Sequence, residues 1–151
     1  MRKTIIATIV LAIPTFVAAQ SLDDAVKARQ EHMKSYGKSI GLLAKMAKGE
    51  VDYDSAQAQA AADMIVELTQ KDQSGYWLPG TSSDDMPGVS RALPAIWAEG
   101  SKIGEVAGKL PPAALALQEV AGTGRSEMAG GLGAVGNSCN ECHKSFQQEK
   151  K

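Results

Sequence analysis

The fold is decided near the carboxyl end of the 151-residue chain, where residues 128–146 read MAGGLGAVGNSCNECHKSF. Six apolar residues in this stretch follow one another at intervals of four, three, four, three and four: Met128, Leu132, Val135, Cys139, Cys142 and Phe146. Such a heptad spacing puts them on one side of a helix that packs against other helices. We therefore predict a helix over residues 125–148 whose apolar side faces the core of a helical bundle.

The same stretch carries the string Cys139-Asn-Glu-Cys142-His143, a C-x-x-C-H motif. This motif is the sequence signature of covalent c-type haem attachment, in which two thiols bond to the haem edge and the adjacent histidine binds the iron. On a helix the three side chains project to one side, because Cys142 and His143 lie three and four residues after Cys139. We predict one covalent haem c on Cys139 and Cys142, with His143 as an axial ligand of the iron.

Other uses of a cysteine pair fit this chain less well. A zinc site needs about four ligands, and the only histidine or cysteine outside the motif is His32. A thioredoxin-like dithiol would need a βαβ context, and the sequence has no convincing strands. A disulfide between two neighbours on one helix would have poor geometry. Haem attachment is therefore the preferred interpretation.

The amino terminus resembles an export signal. Arg2 and Lys3 precede an apolar run over residues 5–17, and small residues follow up to Ala19. This arrangement is typical of a secretory signal peptide, and the run is shorter than the roughly 20 residues of a membrane-spanning helix. We predict a cleaved signal peptide over residues 1–19, one mature domain over residues 20–151, export to the periplasm, and no membrane span.

Charge and composition argue against several other classes of protein. The chain has 16 basic and 17 acidic residues, and loss of Arg2 and Lys3 with the signal would leave 14 basic against 17 acidic, a net charge of −3. This mildly acidic chain has no basic stripe of the kind that nucleic acid requires, so we expect no nucleic-acid partner. Aromatic residues make up only 5% of the chain, and its many alanines suit closely packed helices better than a sheet.

Two further helices are predicted in the first half of the mature chain. The first opens at Ser21, where Asp24 completes a weak capping box, and it closes at Gly49. Its apolar residues recur at spacings of seven and three, as in a helical bundle. The second runs from about residue 54 to residue 70, with an inner row of Ala58, Ala61, Ile65 and Leu68. These patterns predict two helices that bury one face each.

A long loop and a third helix complete the prediction. Residues 72–93 contain several glycines and prolines, and a loop of this length in a small domain is often functional. The third helix starts near Pro94 and is ended or kinked by Pro111-Pro112, with a short helical piece continuing to residue 121. We predict an all-α fold, an antiparallel four-helix bundle that holds the covalently bound haem in its core near one end.

A methionine from upstream could fill the second axial position of the iron, as in many cytochromes c. The mature chain offers Met33, Met46, Met64, Met86 and Met128. Met128 lies on the helix of His143, roughly 22 Å away at 1.5 Å per residue, so it cannot reach the opposite face of the haem. Met33 and Met46 are about 20 Å apart on one helix, so at most one of them can approach the iron. Spacing alone does not choose among the remaining four.

Strings along the chain resemble the cytochrome c-prime family of class II c-type cytochromes. They are ARQEHMK at 28–34, AKGE at 47–50, YD at 53–54, PGT at 79–81, IW at 96–97, and the haem motif at 139–143. The haem motif is shared by all c-type cytochromes, whereas its carboxyl-terminal position together with Arg-Gln early in the first helix is more specific. The resemblance spans essentially the whole mature chain and implies the antiparallel four-helix bundle that the patterns predict.

The resemblance also implies roles for residues around the haem. In this family the first-helix residue four after the arginine faces the open side of the haem, and here that residue is Met33. The low-spin branch, cytochrome c-556, has a ligating methionine there, so Met33 is predicted as the second axial ligand, with core packing beside an open site as the alternative. Arg29 and Gln30 match positions that contact the haem propionates, and Thr81 is likewise expected at the haem periphery.

Two residues near these positions are interpreted differently. His32 is adjacent to Met33, so it points about 100° away around the helix, and we expect it at the surface. Gln147 stands four residues after the haem histidine, where this family usually has arginine. That departure weakens the expectation of a cationic pocket on the His143 side of the haem.

Electron transfer is the first expectation for function, because a haem with two strong axial ligands, here His143 and Met33, changes redox state with little rearrangement. The alternative is a five-coordinate, high-spin protein that binds nitric oxide or carbon monoxide at an open sixth position. Residues 79–85 resemble the high-spin members of the family. A peroxidase-like enzyme would need polar groups beside Met33, and no general base, nucleophile or second metal is visible, so we do not expect an enzyme.

The sequence predicts three kinds of partner: a redox protein, a small gas ligand and a second copy of the chain. A redox protein partner is expected but not identified, although acidic patches could steer a basic one. A small gas ligand belongs to the alternative function. The resemblance implies a homodimer through the first two helices, which the alanine-rich second helix would permit.

Overall fold

Four helices enclose one core in a computed structural model that describes residues 21–149. In chain order the helical segments are α1 (Leu22–Lys48), α2 (Ser55–Gln70), α3 (Ile103–Ala107), α4 (Leu110–Val120) and α5 (Arg125–Phe146), with a 3-10 turn at Pro94–Ile96. Both α1 and α4 pack against α2 and α5, which gives the predicted antiparallel four-helix bundle, with the short α3 leading into α4. The signal peptide predicted for residues 1–19 lies outside the described residues.

The predicted limits of α1 are confirmed by its capping contacts. The Ser21 hydroxyl accepts a hydrogen bond from the backbone N–H of Asp24 at 3.1 Å, as an N-cap does. Gly49 closes the helix in the left-handed region with φ of 75°, where glycine avoids steric strain. Arg125 Nε also donates to the carbonyl of Met46 at 2.7 Å, which satisfies a free carbonyl at the helix end and places a cation at its negative pole.

Side chains from all four helices fill the main core. The predicted inner row of α2 is buried at every position: Ala58, Ala61, Ile65 and Leu68. Leu43 of α1, Leu117 of α4, and Met128 and Val135 of α5 are completely buried around it. The backbones of α4 and α5 approach closely at Gly131, where a Cβ atom would lie 3.1 Å from the Cα atom of Leu117. A side chain at this position would therefore force the two helices apart.

The third helical segment differs from its prediction. Pro94 begins only one 3-10 turn, and the chain is not helical again until Ile103. The helix is interrupted after Ala107, before the proline pair, and Pro111 and Pro112 lie in the first turn of α4. Proline is tolerated there because the first N–H groups of a helix need no internal acceptor. The prolines therefore start a helix that they were expected to end.

The long segment between α2 and α3 returns to the end of the bundle that carries the haem motif. Ala92 and Gln147 form an isolated antiparallel bridge, and the Leu93 N–H donates to the carbonyl of Phe146 at 2.9 Å. Ala92, Ile96, Val106 and Phe146 form a second, small buried cluster. Over residues 21–149, no helix has the length and hydropathy that crossing a membrane would require.

Candidate functional site

A cavity of about 950 Å³ lies between α1, the long loop, the α3–α4 segment and α5. Cys139, Cys142 and His143 line it from α5, and Met33 lines it from α1. Ligand pockets in proteins commonly measure about 300–1,000 Å³, so this cavity can take a large cofactor. The structure thus brings the two predicted attachment residues and both predicted axial ligands to one cavity.

The two cysteines face the cavity as half-buried free thiols. Cys139 packs against the main core and Cys142 against the small cluster. Burial raises the pKa of both thiols above the ordinary value for cysteine, so both are neutral at pH 7 before any cofactor is attached. Among the described residues, no group of three or more potential metal ligands forms a metal site. This arrangement fits haem attachment better than a zinc site.

His143 presents an imidazole to the same cavity. Protein atoms lie close enough to this ring that desolvation lowers its pKa, and the positive charge of Arg91 lowers it further. The ring is therefore neutral at pH 7 and keeps the lone pair that a metal ligand needs. His143 fits the predicted role of axial ligand.

Arg29 is a buried cation at the edge of the cavity, with 5% of its surface exposed. Its Nη1 donates to the carbonyl of Tyr76 and to the Thr81 hydroxyl, at 3.1 and 3.2 Å. Its Nη2 donates to the Thr81 carbonyl and the Ser90 hydroxyl, at 3.1 and 2.9 Å. Among the described residues, no carboxylate lies within ion-pair distance of Arg29. A buried guanidinium without a counter-ion fits a carboxylate of a bound group, and haem carries two.

Thr81 and Gln30 are placed differently from each other. Thr81 is fully buried and does not line the cavity. Its hydroxyl accepts from Arg29 and donates to the carbonyl of Leu78 at 2.6 Å, so it holds Arg29 instead of facing the haem periphery as expected. Gln30 does line the cavity, and its side-chain amide donates to the carbonyl of Val89 at 2.8 Å. Both residues therefore fasten the long loop to α1.

His32 corrects another expectation, because it is buried and not at the surface. Only 5% of the residue is exposed, and its ring lies 5.0 Å from the ring of Tyr36 and 5.5 Å from that of Tyr76. Its Nε2 has no hydrogen-bond partner among the described residues, and burial lowers its pKa. The loop residue Tyr76 covers it, and helical periodicity contains no signal for such a contact.

Three further residues of the cavity wall come from the long loop and the segment after it. Arg91, Trp77 and Trp97 all line it. The Trp77 ring lies 4.9 Å from the Arg29 guanidinium. The backbone carbonyl of Trp77 accepts a hydrogen bond from the Trp97 indole at 2.9 Å. These residues come from irregular segments, so only the three-dimensional path of the loop brings them to the site.

The cavity, its two thiols, its neutral imidazole and its unpaired buried cation together fit a covalent haem c, and comparison with known proteins agrees. A family model described as Cytochrome C' matches residues 24–147. Cytochrome c' from Cereibacter sphaeroides is 37% identical over 150 residues, covering 99% of this chain and 100% of that protein.

Two solved structures extend this similarity to the fold. A structure described as cytochrome c' from Rhodobacter Spheriodes has a TM-score of 0.82 at 37% identity, covering 86% of this chain and 99% of that chain. A ferrous variant of cytochrome c prime from Alcaligenes xylosoxidans with bound NO has a TM-score of 0.72 at 25% identity, covering 85% and 97%. The chain therefore belongs to the cytochrome c' family of c-type cytochromes and binds one covalent haem c.

Proposed function

We propose that this protein binds a small uncharged gas molecule, nitric oxide or carbon monoxide, at the face of its haem opposite His143. The extended match to cytochrome c' supports this proposal, as does the bound nitric oxide in the similar cytochrome variant from Alcaligenes xylosoxidans. When bound, the haem supplies an iron whose sixth position can accept such a ligand. The protein supplies the axial imidazole and the surroundings of that position.

The composition of the cavity wall carries the proposal. Within residues 21–149, no aspartate or glutamate lines the cavity, and His143 is its only imidazole. The rest of the wall is largely apolar, with Ile96, Trp97 and Leu110 among its members. A neutral diatomic molecule needs no charged partner and enters such a space without a desolvation penalty. Since the wall offers no carboxylate or second imidazole for proton transfer, we also propose that the protein is not an enzyme.

Met33 would decide whether the sixth coordination position of the iron is open or filled by a protein ligand. It lines the cavity from α1, and 37% of its surface is exposed in the polypeptide alone. Methionine is unbranched and adapts its shape, so its thioether can pack over the haem without occupying the iron. In the proposed function, Met33 is an apolar neighbour that the incoming gas molecule displaces.

Electron transfer with Met33 as the second axial ligand is the other candidate function. The observation that favours it is the placement of Met33 and His143 in the wall of one cavity on different helices. A thioether ligand would raise the reduction potential and close the sixth position. The two candidates thus differ in a single bond, from the Met33 sulfur to the iron.

Three further features belong to this proposal. We propose a periplasmic location, on the strength of the signal-like residues 1–19. We propose a homodimer through α1 and α2, because Met64 and Ala60 are exposed on α2. A redox protein partner stays a prediction without an identified surface.

The optical spectrum of the holoprotein, ferric and ferrous, with and without carbon monoxide, tests the proposed function. Gas binding predicts a high-spin spectrum that shifts on addition of carbon monoxide. Met33→Leu removes the sulfur and keeps the bulk, so it should leave the spin state unchanged. Met64→Leu is the matched control, because Met64 has similar exposure, 41%, and does not line the cavity.

The electron-transfer alternative predicts a different spectrum. A low-spin spectrum that ignores carbon monoxide and becomes high-spin in Met33→Leu but not in Met64→Leu would overturn gas binding. It would establish Met33 as a ligand and electron transfer as the function.

A further inference from the structure

Arg91 lies where the long loop meets the carboxyl-terminal end of α5. It is partly buried and lines the main cavity together with His143 and Gln147. It also lines a smaller neighbouring cavity of about 500 Å³ with Gln148 and Glu149. The Arg91 side chain therefore borders both cavities at the His143 end.

Both the backbone and the side chain of Arg91 hold the segment that follows α5. The Gln148 N–H donates to the carbonyl of Arg91 at 2.8 Å. In return, Arg91 Nε donates to the carbonyl of Gln148 at 2.9 Å, and its Nη2 donates to the same oxygen. The neighbouring bridge between Ala92 and Gln147 continues this pairing. Arg91 thus fixes the chain within a few residues of His143.

The charge of Arg91 is not neutralised by a carboxylate in the described part of the chain. No Asp or Glu there lies within 4.0 Å of its guanidinium nitrogens. Within residues 21–149, the side chain donates to one group, the neutral carbonyl of Gln148. Arg91 and His143 line the same cavity, so this charge lies on the His143 side of the site. A cation in a partly buried site acts over several ångströms with little screening.

We propose that Arg91 is the cationic residue of the His143 side of the haem, in a chain that has an uncharged glutamine at position 147. It acts in two ways, as a clamp on the turn after His143 and as a fixed positive charge beside the axial imidazole. Reduction lowers the charge at the iron, so a nearby cation favours the ferrous state. The inference depends on His143 as an axial ligand but not on what occupies the opposite face.

The reduction midpoint potential of holoprotein variants tests this role. Arg91→Gln removes the charge but keeps a donor for the Gln148 carbonyl. We expect the ratio of ferrous to ferric protein at a fixed ambient potential to fall roughly three- to tenfold, a shift of about 28–59 mV toward more negative potential. Arg91→Lys keeps the charge and should stay within about twofold of the parent protein.

Arg125→Gln is the matched control, because Arg125 also donates its Nε to a backbone carbonyl yet does not line the cavity. Its potential should equal that of the parent protein. Adding Gln147→Arg to Arg91→Gln returns a cation to the turn after His143 and should restore most of the potential, since residue 147 lines the same cavity.

Two results would overturn the inference. One is an unchanged potential in Arg91→Gln, with normal haem content. The other is an equal fall in Arg91→Gln and Arg91→Lys that Gln147→Arg does not reverse, which would mean that Arg91 acts through the clamp alone. Neither result depends on the spin state, so failure here is distinct from failure of the proposed gas binding.

Discussion

The two ends of the bundle are filled in different ways. At one end, side chains from four helices pack against one another, and Leu43, Leu117, Met128 and Val135 are completely buried. At the other end, a cavity of about 950 Å³ separates the helices, and the small buried cluster consists of Ala92, Ile96, Val106 and Phe146. Protein interiors are normally close-packed, so the second end is complete only when the haem contributes its own apolar surface.

This difference means that one end of the fold is specified by amino acids and the other by amino acids together with a cofactor. α5 runs through both ends, with Met128 in the main core and Cys142 against the small cluster. The haem is therefore attached to a helix whose first half is already held by packing. We expect the two ends to respond differently to substitution.

Removal of both attachment thiols should have the largest effect. Cys139→Ser combined with Cys142→Ser should abolish covalent haem, because no thiol remains to bond the haem edge. Hydrogen exchange should then become faster over residues 76–107, while α2 and the first half of α5 keep their protection, because their packing does not use the cavity.

Asn140→Ala is the control for this variant, since Asn140 is an exposed residue inside the same motif. It should keep both the haem and the exchange pattern. Equal loss of protection at both ends in the double variant would show that the two ends form one cooperative unit.

Leu117→Ala tests the end that amino acids alone fill. Leu117 is completely buried, so the variant should lower the free energy of unfolding by about 2–5 kcal/mol. Leu115→Ala on the same helix, at a residue that is 49% exposed, should change it by less than about 0.5 kcal/mol. Denaturant unfolding of the two holoproteins measures the difference, and similar values would contradict the assignment of this end as the packed core.

Arg29→Gln tests the connection between α1 and the long loop at the haem end. The change removes the Arg29 donor from the carbonyl of Tyr76, whereas the Thr81 carbonyl keeps the Ser90 hydroxyl as a donor. It should lower the free energy of unfolding by about 1–3 kcal/mol. Limited proteolysis should then cut the loop faster. Lys34→Gln removes an exposed cation from the same helix and should cost less than about 1 kcal/mol. Equal proteolysis of both variants would argue against a role of Arg29 in holding the long loop on α1.

The smallest effect is expected from Tyr36, which lies where the two ends meet. Burial raises the pKa of Tyr36 to about 12. The folded protein therefore favours the neutral phenol, so this stabilisation is complete below pH 10 and is lost as the pH rises toward 12. We expect the free energy of unfolding to fall by about 1–2 kcal/mol over this interval. Tyr36→Phe should remove that part of the pH dependence, and an unchanged slope would contradict it.

The packed end could be predicted from the sequence better than the haem end. The inner row of α2 and the caps at Ser21 and Gly49 follow from periodicity and local chemistry, which act over a few residues. The C-x-x-C-H motif likewise carries its chemistry in five consecutive residues. By contrast, the burial of His32 and the position of Thr81 depend on where the long loop lies.

Arg91 shows why such contacts escape prediction. Its hydrogen-bond partner Gln148 and its neighbour in the cavity wall, His143, lie more than fifty residues away in the sequence, and no repeat or motif connects them to it. The split between α3 and α4 has a similar origin, because the sequence marks the prolines at 111 and 112 but not which side of them becomes helical. Packing between residues far apart in the sequence determines both the contacts of Arg91 and the position of the break between α3 and α4.

The close contact at Gly131 fixes the position of α5, which carries the haem, along α4. It sets how far α5 can slide along α4, since the glycine fits against the backbone at Leu117. Cys139 follows eight residues later on the same helix, which is about 12 Å along its axis. A shift of one residue at this contact would move the cysteines and His143 by about 1.5 Å along the axis of α5 and turn them by about 100° around it. A residue without a side chain thereby fixes where the haem-attachment residues of α5 lie relative to α4.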